Sequence, residues 1–300
     1  MIPPSTASKG NLPIIKKASG KYCWTTDGKK LLDFSGSNLT VILGHRKYKL
    51  GFSPNFPGVS VLEGELSKLL ERYTLNEHFR FFKNGNDAVA CAIRLARHIL
   101  KKPNAKIAYL GYAGSHNEYV YTFNKNGIPK SNSFQYPGVD NPKCDILVYE
   151  SRLTYIAKDV KAKLKICDHL KSGLLGLIEL PTPDTLLHCY GKSLSNGYPL
   201  AVLGGPLDKI GEIYYSTTYG GENVGLEAAI KTIKEFKKKE DGYLELLRYA
   251  RSVLPEWRSL NKKEINIFLK HGIINTGFWQ IMVPHIKKDI DKLAEVYKKL

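Results

Sequence analysis

From residue 80 onward the chain alternates short apolar runs with glycine-rich or polar turns and with stretches carrying a helical stripe. The runs KIAYLGY, CDILVYE, LKICDHL, TLLHCYG and LAVLGG are nearly continuous in apolar residues, as strands buried on both faces require. In NDAVACAIRLARHILKK, residues 86–102, apolar side chains recur at 89, 92, 93, 96 and 99–100. That spacing predicts one buried helix face, opened by the turn-forming Asn84, Gly85 and Asn86. GLEAAIKTIKEFKKK predicts a second patterned helix, and DIDKLAEVYKKL an amphipathic helix near the end. Strands interleaved with helices predict an α/β fold.

The first 50 residues have a different texture, rich in Gly, Pro and Ser. Within them KYCWTTDGKKLLDF sets an Asp27-Gly28 turn between two half-apolar runs, which predicts a β-hairpin. No internal repeat or low-complexity tract interrupts the chain. The expected organisation is a large α/β domain over 51–238, with a reduced small domain built from both ends, 1–50 and 239–300.

Composition narrows the class. At 300 residues, 43% hydrophobic and 24% charged, the chain has material for a sizeable core. No apolar run approaches the roughly 18–20 residues of a membrane span, and the start MIPPSTASKGNLP lacks a secretory apolar region. A cytoplasmic protein with no membrane association is expected. The five cysteines lack paired metal spacing, so reduced, mostly buried thiols are expected and no metal site. A net charge of +17 admits nucleic acid, an anionic membrane surface or an anionic substrate as partner. The lysines are dispersed, with only short runs such as KEFKKKE, so a solvated surface is the simpler reading. The 18 Tyr and 11 Phe are equally dispersed and mark no separate base-stacking platform.

Ligands of open α/β sheets gather at the carboxyl ends of strands, and four features fall there. Asn84, Gly85 and Asn86 open a helix, whose N-terminal N–H groups and dipole suit a phosphate, although Asn and Asp are also ordinary caps. Tyr112, in the turn GYAG, has the shape to stack on a flat ring or simply to fill the turn. Asp168 follows the apolar run LKIC and needs a partner: a cationic ring nitrogen, a helix cap or a lysine. Lys192 stands between two apolar runs. A partly desolvated lysine has a lowered pKa and attacks carbonyl carbons. Phosphate cradle, ring stacker, acid for a ring nitrogen and Schiff-base lysine are together the parts that pyridoxal 5′-phosphate (PLP) requires.

In their order these segments resemble the class III PLP aminotransferases, and most closely the branch of glutamate-1-semialdehyde aminomutase and related amino-sugar transaminases. GKYCWTTDGKKLLDFSGSNLTVILGH is similar to that family's N-terminal hairpin, and RFFKNGNDAVACAIRLAR to its phosphate-loop helix. GYAG stands where the family has Tyr-His-Gly, ICDHLKSG where it has its pyridine-binding acid, and GKSLSNGYPLAVLGG resembles the segment of its Schiff-base lysine. The resemblance implies a fold type I PLP transferase, with a mixed, mostly parallel sheet. It implies Lys192 as the catalytic lysine, Asp168 at the ring nitrogen, Tyr112 and Leu170 on the two ring faces, and Asn84, Gly85 and Asn86 at the phosphate. STTYGGENVGLEAA resembles the segment whose threonine, here Thr218, reaches the phosphate held by a partner subunit, so a homodimer is implied. The implied reaction is amino-group transfer or aminomutation on a small amine or carbonyl substrate.

The chain departs from the family's pattern at several points. It is shorter than is usual, and its segment between Glu150 and Asp168 is compressed. Asn86 replaces Ser or Thr, Ala113 a histidine and His169 a glutamate, and IPPSTASKGNLPII holds no arginine. Two alternatives stay open: a PLP-dependent decarboxylase or lyase acting on a nucleotide- or nucleic-acid-linked amine, and a catalytically degenerate binding protein. His45 reads as a turn histidine packing near the site, His285 as structural and Glu222 as a helix cap; Glu150, ending CDILVYE, reads more simply as a strand-end residue than as a supporting acid of the site.

Overall fold

The computed structural model describes residues 12–52, 55, 58–112, 114, 144–178 and 183–300; Ala113, singled out above, lies outside the described residues. In chain order the elements are β1 (Ile15–Ser19), β2 (Tyr22–Thr25), β3 (Lys30–Asp33), α1 (Gly36–Leu39), α2 (Val61–Glu71), β4 (His78–Phe82) and α3 (Gly85–Ile99). There follow β5 (Ile107–Leu110), β6 (Cys144–Glu150), α4 (Thr154–Ala157), β7 (Ala162–Asp168), β8 (Thr185–Tyr190), β9 (Ala201–Gly205) and α5 (Leu207–Ile210). The chain ends with α6 (Asn223–Lys237), α7 (Glu240–Val253), α8 (Lys262–Lys270), β10 (Ile273–Ile274) and α9 (Lys287–Tyr297). Two compact units result, one of residues 50–230 and one of residues 1–49 with 231–300.

In the unit of residues 50–230 a six-stranded sheet runs in the order β4-β9-β8-β7-β6-β5. All five apolar runs read from the sequence are its strands, and β5 to β8 are mutually parallel. β9 alone runs against its neighbours β8 and β4. The strand HFRFF, β4, was not legible as such, because one short run beside a helix start has no period of its own to display.

The apolar stripe of α3 explains why the sheet is covered where it is. Val89, Ala92, Ile93 and Ala96 pack with Ile146, Val148, Leu164, Ile166, Leu187 and Cys189, all essentially sealed from solvent. Each such Ile, Leu or Val contributes about 1.5–3 kcal/mol by leaving water. The alternate residues Leu147, Tyr149 and Cys167 form a second cluster with Ala157 and Val160 on the opposite face. Burial on both faces is what made these strands legible as continuous apolar runs.

In the other unit β1-β2-β3-β10 form a four-stranded sheet, antiparallel except for β10, which runs parallel to β3. The predicted hairpin is β2–β3, and Gly28 turns it with a φ of +86° that favours glycine. Cys23, Leu31 and Ile274 seal one face. His45 Nε2 meets Asp33 Oδ2 at 2.7 Å. His285 is buried, stacks on Phe34 at 4.3 Å and accepts from Met282 N–H through Nδ1. Burial pulls it down to about 4, so it is a neutral structural group. No helix among the described residues is long and apolar enough to cross a membrane.

Candidate active site

Because only β9 is reversed, the carboxyl ends of β4, β5, β6, β7 and β8 line one edge of the sheet. Three apolar rows on the α3 side run out there. Ile146 and Val148 lead to Glu150, Leu164 and Ile166 to Asp168, and Leu187 and Cys189 to Gly191, two residues apart each time as strand alternation requires. β4 delivers the chain to the same edge, where Asn84 and Gly85 open α3. The chemistry-bearing residues thus collect where the rows lose their apolar character.

Asp168 is buried, and the only hydrogen bond to its side chain among the described residues comes from Leu170 N–H, 2.8 Å from Oδ1. Burial lifts its carboxyl to about 7; the Leu170 N–H works against this, and the negative charge of Glu150 adds to it. Glu150 accepts from Lys171 Nζ at 2.6 Å and from Tyr112 N–H at 2.7 Å, and Arg152 Nε lies 2.5 Å from its other oxygen. Burial opposes its ionisation, but the Lys171 and Arg152 charges outweigh burial and hold it below the usual carboxylate range.

Lys192 begins a 3-10 turn, Lys192–Ser195, directly after β8 and Gly191. Its backbone is left-handed, with φ +46°, a conformation that costs a non-glycine residue about 1 kcal/mol or more and recurs at functional sites. The turn is pinned from below, since Ser193 Oγ accepts from Leu174 N–H at 2.9 Å. No hydrogen bond or ion pair engages Lys192 Nζ among the described residues. Burial pulls the amine down to about 8, helped by the Lys171 charge and opposed by Asp168 and Glu150.

Leu170 lies between the start of α3 and the end of β8. A Cβ on Gly85 would stand 2.5 Å from Leu170 Cδ1, and one on Gly191 2.7 Å from Leu170 Cδ2. A side chain on either glycine would therefore force Leu170 to shift. The structure brings Asp168, Leu170, Gly85 and Gly191 together in this way. Asn84 stands at the N-cap without capping α3, its Nδ2 3.3 Å from Asp87 Oδ2, and Asn86 lies in the first turn. N–H groups of a first helical turn have no intrahelical acceptor.

Tyr112 is about half exposed at the end of β5, with Lys171 Nζ 5.2 Å from its ring centre. Thr218 is exposed in the turn before α6, and no hydrogen bond joins it to Lys192, Asp168 or the start of α3 among the described residues. Glu222 accepts from Val224 N–H at 3.0 Å and Gly225 N–H at 2.7 Å, so it caps α6 as expected. It also pairs with Lys83, the residue before Asn84.

Sequence reasoning gave no place to Lys171 and missed a buried stack beside Asp168. His169 lies against Tyr190 with ring centres 4.8 Å apart and against His188 at 5.7 Å. Asn76 Nδ2 donates to Tyr190 Oη at 2.9 Å. Burial pushes His188 down to about 3, so it stays neutral. The alternation of His188 and Tyr190 on the face of β8 away from Leu187 and Cys189 was the available signal.

No family model matches the chain. It is 25% identical to the glutamate-1-semialdehyde 2,1-aminomutase of Nitrosopumilus maritimus, over 78% of this chain and 69% of that one. It is 26% identical to the same enzyme of Deinococcus radiodurans, over 91% of this chain and 76% of that one. Among solved structures, the PLP-bearing FumI protein of Sphingopyxis sp. MTA144 superposes with a TM-score of 0.72 at 17% identity, covering 100% of this chain and 91% of that one. The chain has the class III aminotransferase fold, an α/β fold type I PLP transferase, and is a distant homologue of glutamate-1-semialdehyde aminomutase.

Proposed function

We propose that this chain is a PLP-dependent aminotransferase or aminomutase working through Lys192. One observation carries the reading. A buried lysine without a hydrogen-bond partner among the described residues and a buried, under-partnered carboxylate share one sheet edge, yet do not pair with each other. A ligand with a carbonyl carbon for the amine and a cationic ring N–H for the acid satisfies both groups, and PLP has these two features. The residues present fit the group.

Lys192 would hold the cofactor covalently at its carbonyl carbon, Asp168 would accept from its ring nitrogen, and Leu170 and Tyr112 would cover its ring faces. Asn84, Gly85 and Asn86 would meet its phosphate. When bound, PLP supplies an electron sink that stabilises a carbanion at the substrate carbon. Lys192 Nζ, about half of it neutral at pH 8, is the group that takes a proton at the substrate carbon and returns it. Asp168 is ionised once a cation stands beside it, so a positive ring nitrogen keeps its proton. The sealed rows beneath Glu150 and Asp168 exclude water from this side of the site. Residues 51–238 would form the cofactor-binding domain and residues 1–50 with 239–300 the reduced small domain. Thr218 would complete the phosphate site of a partner subunit in a homodimer.

The test is to mix the purified protein with PLP, record the visible spectrum before and after borohydride, and map the modified peptide. A visible band that borohydride abolishes, with the adduct on Lys192, is expected, followed by amine-dependent turnover with a carbonyl acceptor. Absence of the band, or a band unchanged in Lys192→Ala, would overturn the reading.

A further inference from the structure

The positive charge of this chain is not shared evenly. Residues 1–49 and 231–300 hold 25 Lys and Arg against 11 Asp and Glu, whereas residues 50–230 hold 20 against 17. Nearly all of the net +17 therefore belongs to the unit that carries β1, β2 and β3. In that sheet the aromatic residues, dispersed in the sequence, meet the basic ones.

Tyr22 and Trp24 are two residues apart on β2 and so share a face, with ring centres 6.4 Å apart. Lys17 stands opposite Trp24 on β1, and Lys30 stands opposite it on β3. Residues directly opposite in antiparallel strands share a face, so Lys17, Trp24 and Lys30 form one row across the sheet. Lys17 Nζ is 4.7 Å from the Trp24 ring centre, and Lys30 Nζ is 3.9 Å from that of Tyr22 and 5.7 Å from that of Trp24. Lys21 and Lys29 are neutralised by Asp289 and Asp27. Lys17 and Lys30 have no carboxylate partner among the described residues, only the rings. Their charge is available to an outside anion.

We propose that this outer face of β1–β3 binds single-stranded nucleic acid, with phosphates on Lys17 and Lys30 and bases stacked on Trp24 and Tyr22. Single strands are held by such a combination of cationic rail and aromatic platform, because every base offers a π-face. Charge complementarity selects a polyanion, and the rings select one with flat, stackable groups. Both rings are half-buried in the sheet face rather than protruding, which suits stacking and gives little to insert into a bilayer.

The test is fluorescence anisotropy of labelled oligothymidylate and oligouridylate with the full chain, at about 50 and 200 mM salt. Saturable, salt-sensitive binding is expected, with Trp24→Ala and Tyr22→Ala each weakening it about 5-fold or more. Trp24→Phe should keep most of the affinity, and Lys17→Gln/Lys30→Gln should lower the salt slope by about 1.4, two contacts at roughly 0.7 each. Circular dichroism and thermal melts confirm that each variant is folded. No binding at low salt overturns the proposal. So does binding that Trp24→Ala and Tyr22→Ala leave unchanged, which would reduce the effect to diffuse attraction by a +17 chain. Tighter, Trp24-dependent binding to phosphatidylserine-containing vesicles than to either oligonucleotide would overturn it in favour of a membrane surface.

Discussion

Glu150 and Asp168 stand directly opposite each other at the carboxyl ends of β6 and β7, one held ionised and the other only about half ionised near pH 7. The difference lies in their partners. Lys171 and Arg152 sit on Glu150, while among the described residues only a backbone N–H hydrogen-bonds to Asp168.

This relationship has a stability signature in cofactor-free protein. Asp168 titrates near 7 when folded, against about 3.9 in an unfolded chain. Between about pH 4 and 7 the folded state keeps a proton that the unfolded state has released, so stability falls as pH rises through that window. The full penalty is present above 7 and amounts to about 4 kcal/mol, three pK units at about 1.4 each. Asp168→Asn should therefore raise the melting temperature at pH 8 and change it little at pH 4, while weakening PLP binding. Thermal melts across pH measure this, and an Asn variant that melts lower at pH 8 would contradict the assigned burial penalty.

Much of this site was legible in the sequence, and the part that was not has a physical cause. Lys192, Asp168 and Gly85 each follow or open a strongly patterned element, so local pattern announced their position. Lys171 and the His169–Tyr190 stack were not legible, because their meaning arises only from partners distant in sequence: Glu150 is 21 residues before Lys171. The same cause hid the row formed by Lys17, Trp24 and Lys30, which strand pairing alone assembles.

Capture of PLP requires the neutral Lys192 amine, so its rate should rise with pH through a midpoint near 8. The neighbouring charges move that midpoint in opposite directions. Lys171 lowers the amine's pKa, so Lys171→Gln should shift the midpoint upward; Glu150 raises it, so Glu150→Gln should shift it downward. Stopped-flow absorbance on mixing with PLP reads all three profiles. Equal midpoints would show that these charges do not reach Lys192.

Leu170 lies so close to Gly85 and Gly191 that a side chain on either would force it to move. Gly85→Ala should cost about 1–3 kcal/mol through overpacking, and PLP affinity should fall with it. Adding Leu170→Ala should relieve the clash. A double-mutant cycle in urea should therefore show strong coupling, with the pair less destabilised than the sum of the singles. Additive effects would mean that Leu170 does not fill the space beside Gly85.

Glu222 joins two tasks, capping α6 through the N–H groups of Val224 and Gly225 and pairing with Lys83. Lys83 is half-buried, donates to Pro199 O at 3.0 Å, and leads directly into the Asn84–Gly85 start of α3. Burial pulls the Lys83 amine down, and Glu222 is what opposes that fall. Glu222→Ala should lose a cap worth about 1 kcal/mol and leave a shielded ammonium without its anion, for a total near 3 kcal/mol. Lys83→Met in the same background should recover the second part and leave the first, because methionine needs no counter-charge. PLP affinity should follow the same order if the pair orients the start of α3: weakest in Glu222→Ala and partly restored in the double variant. Urea denaturation and PLP titration of the two variants read both effects. Loss of stability without any change in PLP affinity would confine the pair to holding α6.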